Sequence, residues 1–230
     1  MTSSALAGCG TGQDSQADGA TEPTKTSGVQ AKPLSKADLE RATITGADLV
    51  GYDVERDLAA TSASHKTADP AECAPVMQAV GGSSGFAATA RTARIIVPRE
   101  RGSGAHMTLS SHSPADAQQV IDALRTAAER CKTFKDIQVD FDYDAVQLQP
   151  DPGYGDDSVS LRLTQLAAFG DGEEPVRVPY AVVAVRQGAT VAMFTDSNRP
   201  SGPNDDEPAG IPNAIVKGQL NKLSKPAAAK

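Results

Sequence analysis

Residues 176–194 read VRVPYAVVAVRQGATVAMF. The run Ala181–Val185 is apolar on both faces of an extended chain, which marks Val176–Arg186 as a central strand. Gln187-Gly188 supplies a turn, and Thr190–Phe194 returns as the last strand. Working back toward the N-terminus, the same period of two recurs. Val159, Leu161 and Leu163 alternate with polar residues after a turn rich in Gly, Pro and Asp at 151–157. Ile137, Val139, Phe141 and Tyr143 alternate with Gln and Asp, giving one apolar and one acidic face. Val146 and Leu148 continue one residue out of phase. A slip of one residue would flip every side chain, so the pattern predicts a bulge near Asp144-Ala145. Ala93–Val97 and His106–Ser110 flank the Gly-containing turn Arg101–Gly104 and read as a hairpin.

Helical spacing fills the intervals. Asp69-Pro70-Ala71-Glu72 has the form of a helix start, with Cys73, Val76, Met77 and Val80 on one stripe. Pro75 inside that pattern calls for a kink or a later start, and Gly81-Gly82 ends the segment. Ser113-Pro114-Ala115-Asp116 is a clearer start, close to a capping box. Ala117, Val120, Ile121, Leu124, Ala128 and Cys131 follow it on one face. Pro212 opens a third helix, with Ile215, Val216, Leu220 and Leu223 as its inner stripe. Strands joined by turns of a few residues are antiparallel neighbours. The pattern therefore predicts an α+β fold: one antiparallel sheet backed on one face by helices, in a single domain at 36–224.

The region before that domain has another character. Residues 10–35, GTGQDSQADGATEPTKTSGVQAKPLS, hold one Val and one Leu and are expected to form a disordered linker. As a flexible coil it would separate its ends by roughly 25–30 Å. It begins directly after Leu6-Ala7-Gly8-Cys9, which resembles the lipobox of bacterial lipoproteins, where the cysteine receives the lipid. Residues 1–9 then read as the remnant of a lipoprotein signal peptide. A signal peptide needs a basic n-region and an apolar h-region, so the true start is expected upstream. The expectation is export, cleavage before Cys9, and a membrane anchor carried by the palmitate-type lipid on that residue, on the extracytoplasmic face. Residues 225–230 are a short tail.

That compartment bears on the other two cysteines. Cys73 and Cys131 each lie on the buried stripe of their own helix, and two such residues in an exported protein most often pair. The net charge of −7 argues against a nucleic-acid surface. With five Phe, four Tyr and no Trp, the core is mostly aliphatic.

A wider resemblance rests on several landmarks. They are Pro70-Ala71-Glu72-Cys73, the pair of extended segments ending at Leu109-Ser110-Ser111, and the helix ending at Ala128-Glu129-Arg130-Cys131. Residues 182–194, VVAVRQGATVAMF, and 211–223, IPNAIVKGQLNKL, add to them. Together they resemble actinobacterial lipoproteins related to the extracellular sensor domain of the kinase PknH, over about Asp38 to Ser224. The resemblance implies an antiparallel sheet backed by helices and a cleft for an extracellular ligand. The kinase sensor domains carry two disulfides where this chain offers one cysteine pair, so the outer part of the cleft is expected to be built differently.

Enzyme-like features are weak. His65, His106 and His112 lack the close spacing of metal ligands. Ser110-Ser111-His112 has the residue types of a nucleophile and base, yet adjacent residues on a strand point to opposite faces. Asp140, Asp142 and Asp144 form a carboxylate row that could hold Ca²⁺, but such a row is more often the solvated face of an exposed strand. The expectation is a non-catalytic binding or sensor-like domain without metal or cofactor. Its occupant would be an extracellular small molecule, a lipid or an envelope protein. A structural or chaperone-like envelope lipoprotein is the alternative, and an envelope hydrolase the third reading. The ligand surface is expected between the sheet and the Ser113–Cys131 helix or the neighbouring loops, where the turn at 150–157 and the acidic loop at 196–210 could gate it.

Overall fold

The computed structural model describes residues 32–58, 66–168, 174–200 and 208–225. Cys9, the signal remnant, the linker up to residue 31, His65 and much of the acidic loop lie outside these residues. All but the first residue of the 225–230 tail does too.

The elements in chain order are α1 (Lys36–Arg41), β1 (Tyr52–Arg56), β2 (Ala68–Asp69), α2 (Ala74–Val80), β3 (Ala90–Pro98), β4 (Ala105–Ser111), α3 (Pro114–Arg130), β5 (Phe134–Asp136), β6 (Phe141–Leu148), β7 (Asp157–Ala167), β8 (Val176–Gln187), β9 (Thr190–Ser197) and α4 (Asn213–Ser224). The strands form one nine-stranded sheet in the order β1-β3-β4-β9-β8-β7-β6-β5-β2, every pairing antiparallel. The α+β class therefore holds, and β8 sits at the middle of the sheet. Gly188 opens the two-residue β8–β9 turn with φ 59°, a backbone region glycine takes at little cost.

The reading of a sheet backed on one face is corrected. Val182 and Ala184 of β8 join a core beneath α2 and α3, whereas Val183 and Val185 join a second core beneath α1 and α4. Alternate residues of a strand point to opposite sides, so helices cover both faces. Residues 181–185 already carry that message, since a strand apolar on both faces requires two covers. On the second face Gln219 is fully buried and ties α4 to the chain after α1. Its Oε1 accepts from the Ile44 N–H at 3.0 Å and its Nε2 donates to the Ala42 carbonyl at 2.8 Å.

Three local expectations change. Leu34 and Ser35, assigned to the linker from composition, belong to the fold: the Leu34 N–H donates to Ser111 Oγ at 2.7 Å, and Ser35 caps α1. Asp69 is not a helix cap but pairs as β2 with β5; a single 3₁₀ turn, Ala71–Cys73, precedes α2, so Pro75 falls harmlessly in the first helical turn. Ile137 and Val139 are more than half exposed in the β5–β6 turn rather than on a strand. There Asp136 Oδ1 accepts from the Gln138 N–H at 2.9 Å, and Asp140 takes φ 61°. Asp side chains favour such turns, and here they override the apolar alternation. The slip in β6 falls between Asp144 and Gln147, with Ala145 at φ 51°, which returns Tyr143 and Val146 to the same core.

Candidate ligand-binding site

Helix α3 is set by Ser113, whose Oγ accepts from the Asp116 N–H at 3.1 Å, and by Pro114 in the first turn. Its inner stripe lies on the sheet. A disulfide joins Cys73, just before α2, to Cys131, just after α3, with Cα atoms 5.4 Å apart. The two helices are thus fastened together where α2 begins and α3 ends. At the other end of α2 the chain reverses through Gly81-Gly82. Gly82 has φ 65°, and a Cβ there would lie 2.7 Å from Thr108 Oγ1, so only glycine passes this close to β4. Ser83 then donates both its N–H and its Oγ–H to the Gln78 carbonyl, at 2.9 and 3.1 Å. Residues 83–86 cross back over the space between the helices.

That space is a cleft of about 260 Å³. Val120, Ala123 and Leu124 of α3 and Met193 of β9 form an apolar wall and floor. Ala74, Pro75, Gln78 and Ala79 come from α2, and Ser83–Phe86 close it. The alanines at 74, 79 and 123 keep it open, because larger side chains there would close the gap between the helices. Ser84 Oγ is shut off from solvent with no hydrogen-bond partner. A buried hydroxyl left so costs about 1–3 kcal/mol, and groups of this kind are rare in native structures.

A second, more polar hollow of about 280 Å³ lies at the outer end of α2, among Asp57, His106, Tyr180 and Asp196. His106 Nδ1 stands 3.5 Å from Asp57 Oδ2. Burial holds the Asp196 carboxyl above its ordinary range, although the Gly210 N–H donates to it at 3.3 Å. Burial also raises the Tyr180 hydroxyl, which donates to Gln165 Oε1 at 3.4 Å. These polar groups already have protein partners, which makes this hollow the weaker candidate.

Of the described residues with enzyme-like chemistry, His106 lines the second hollow, while Ser110, His112 and the acidic row line neither space. Ser110 and His112 are two apart and share a side, so Ser110 Oγ reaches His112 Nε2 at 2.8 Å, a contact that the argument from adjacent residues passes over. The Ala87 carbonyl lies 3.0 Å from Nδ1 and can only accept, so Nδ1 carries the proton and Nε2 accepts from Ser110. Burial lowers the pKa of His112 and keeps the ring neutral. Both side chains are buried and line none of the hollows described above. The arrangement is a structural hydrogen bond. The acidic row is divided: Asp140 pairs with Lys135 at 2.6 Å, Asp144 with Arg177 at 3.0 Å, and Asp140 sits in the turn rather than on β6. Among the described residues, no group of three His, Cys, Asp or Glu could hold a metal.

The sequence points to α3 or its neighbouring loops as the candidate surface but does not single out residues 83–86. Their signal is the run Gly81-Gly82-Ser83-Ser84-Gly85-Phe86, small and polar residues ending in an aromatic that packs on the core.

No protein-family model and no curated protein sequence matches the chain. Its fold is similar to the crystal structure of the extracellular domain of PknH from Mycobacterium tuberculosis. The TM-score is 0.51 at 10% sequence identity, over 84% of this chain and 96% of that one. At that identity the likeness is one of fold.

Proposed function

We propose that the chain is an extracytoplasmic domain, lipid-anchored through Cys9, that binds a small apolar ligand between α2, α3 and β9 without transforming it. The observation that carries this reading is the cleft itself: apolar on wall and floor, with a few polar groups gathered on one side. That composition is typical of small-molecule sites, and the volume lies just below their usual ~300–1,000 Å³. The fold shared with an extracellular domain fits the proposed location. So does the absence, among the described residues, of a helix long and apolar enough to cross a membrane. Protein docking has less support. The exposed Val50, Leu58 and Val97 lie on β3 or beside β1 at one edge of the sheet, and Ile137, Val139 and Leu148 on β6 or the β5–β6 turn toward the other, so the six do not make one patch.

The test uses N-phenyl-1-naphthylamine, a neutral dye that fluoresces in apolar surroundings. It should bind the wild type at one site per chain. Ala123→Phe, which puts a ring into the cleft, should abolish binding while circular dichroism stays native. Undiminished binding by the folded variant would exclude the cleft as the site. A hydrolase activity lost in His112→Gln would overturn the non-catalytic reading.

A further inference from the structure

We infer, independently of the apolar cleft, that the hollow at the outer end of α2 is a site for one neutral sugar unit. The sheet register puts its polar side chains on one side. His106 stands opposite Thr195, Thr195 opposite Val182, and Ser197 opposite Tyr180. Thr108 lies two residues from His106 on the same strand, so it faces the same way. Asp57 meets His106 from the end of β1. These residues, with Gly81 and Gly82, line a space of about 280 Å³.

Thr108 and Thr195 are the two that no protein group serves. They are 5% and 8% exposed, and their hydroxyls have no hydrogen-bond partner among the described residues. Unlike Ser84 Oγ, neither is shut off from solvent, and both open into the hollow they line. Thr108 Oγ1 is turned toward Gly82, another lining residue, where a Cβ would lie 2.7 Å from it.

The lining also selects the ligand. A threonine hydroxyl both donates and accepts, as a sugar hydroxyl does. Diagonal neighbours on adjacent strands, as Thr108 and Thr195 are, stand ~7 Å apart, a span that hydroxyls on one ring can reach. The lining holds no Lys or Arg, so an anion would meet the Asp57 carboxylate and no basic side chain except His106. That carboxylate already faces His106 at 3.5 Å, which leaves little for a cationic ligand. At ~30 Å³ per water, the hollow holds on the order of nine waters. One pentose ring, whose bonded atoms sit closer together than separate waters, fits such a space.

The experiment titrates xylose into the full chain labelled with ¹⁵N and follows the amide shifts. They should centre on Thr108 and Thr195 and saturate in the millimolar range. Tetrahydropyran, the same ring without hydroxyls, should bind at least ten-fold more weakly. Thr195→Val keeps the shape and removes the hydroxyl. It should weaken xylose about five-fold, the factor that one neutral hydrogen bond of ~1 kcal/mol carries, and Thr108→Val should do the same. Both variants should melt no lower than the wild type and bind N-phenyl-1-naphthylamine unchanged. Absence of saturable shifts with xylose, tetrahydropyran binding as tightly, or undiminished xylose binding by both variants overturns the sugar site while the apolar cleft stands. A lower melting temperature in both variants overturns it too, since the hydroxyls would then serve the fold.

Discussion

Removing the Cys73–Cys131 bridge tests how the cleft is held open. The bridge spans 58 residues of sequence. On the chain-entropy relation, ΔS ≈ −2.1 − 1.5R ln n, that loop restricts the unfolded chain by roughly 14 cal/mol/K, about 4 kcal/mol at 25 °C. Both sulfurs are buried, so Cys73→Ala/Cys131→Ala also leaves a small void, which adds to the loss. For a domain of this size ~1 kcal/mol moves the melting temperature by roughly 2–4 °C, so the double variant should melt roughly 8–16 °C lower. The chain has no Trp, so far-UV circular dichroism in urea is the suitable assay. The slope against urea should rise, because an unfolded chain without the bridge exposes more surface. Dye affinity should fall too, since α2 would lose its fastening to α3. A loss under ~1 kcal/mol with unchanged dye binding would refute the view that the bridge holds this wall.

On the opposite face, Gln219→Leu removes both partners of the Ile44 N–H and Ala42 carbonyl bonds and should cost about 2–5 kcal/mol, read from the urea midpoint. His112 has its pKa lowered by burial, helped by the nearby Arg91 cation and opposed by the Ala87 hydrogen bond and Asp116. The unfolded ring, near 6.5, then binds a proton before the folded one does. Stability contributed by His112 is full above about pH 6.5 and falls as the pH drops toward the folded value. Urea midpoints between about pH 8 and 5 should show that decline, and His112→Gln should flatten it. Cys9→Ser, expressed with a full signal peptide in a native-like host, should move the protein from the detergent phase to the soluble fraction. Unchanged partition would remove the lipoprotein reading.

Legibility followed the number of residues that each signal spans. β8, β9, α3 and α4 were readable because their apolar positions repeat over two or more turns or along a whole strand, with Gly188, Ser113 and Pro212 marking the ends. The edge strands β1 and β2, and the three-residue β5 beside β2, were not, because short strands at or near an edge need little apolar surface and theirs is supplied by neighbours far away in sequence. The Ile137–Val139 alternation misled for a related reason: four residues of period two weigh less than an Asp that can close a turn with its own side chain. The cleft was half legible. Its α3 wall follows from helical spacing, but an opening depends on what is missing, the side chains that Ala74, Ala79 and Ala123 do not have. Small residues on a buried stripe read equally well as close packing.

The two faces of the sheet are secured by different means, and that difference bears on where a ligand can enter. Beneath α1 and α4, polar clamps complement the core. Gln219 bonds the chain after α1, Lys222 meets Asp48 at 2.8 Å, and the buried Arg94 guanidinium meets Glu40 at 2.7 Å. Each would have to break, leaving desolvated groups unpaired, for α4 or α1 to lift. On the other face Gln118 and Arg125 tie α3 to Asp157 of β7, at 3.1 and 2.6 Å, whereas α2 is held to α3 by the disulfide at one end and at the other runs into a Gly-Gly reversal and a Ser-Ser-Gly loop. Lifting that loop disturbs few directed bonds, chiefly the two from Ser83 to the Gln78 carbonyl. Local opening is easiest where such bonds are few. On the proposed reading, a ligand enters at residues 83–86, with the disulfide end as the fixed pivot.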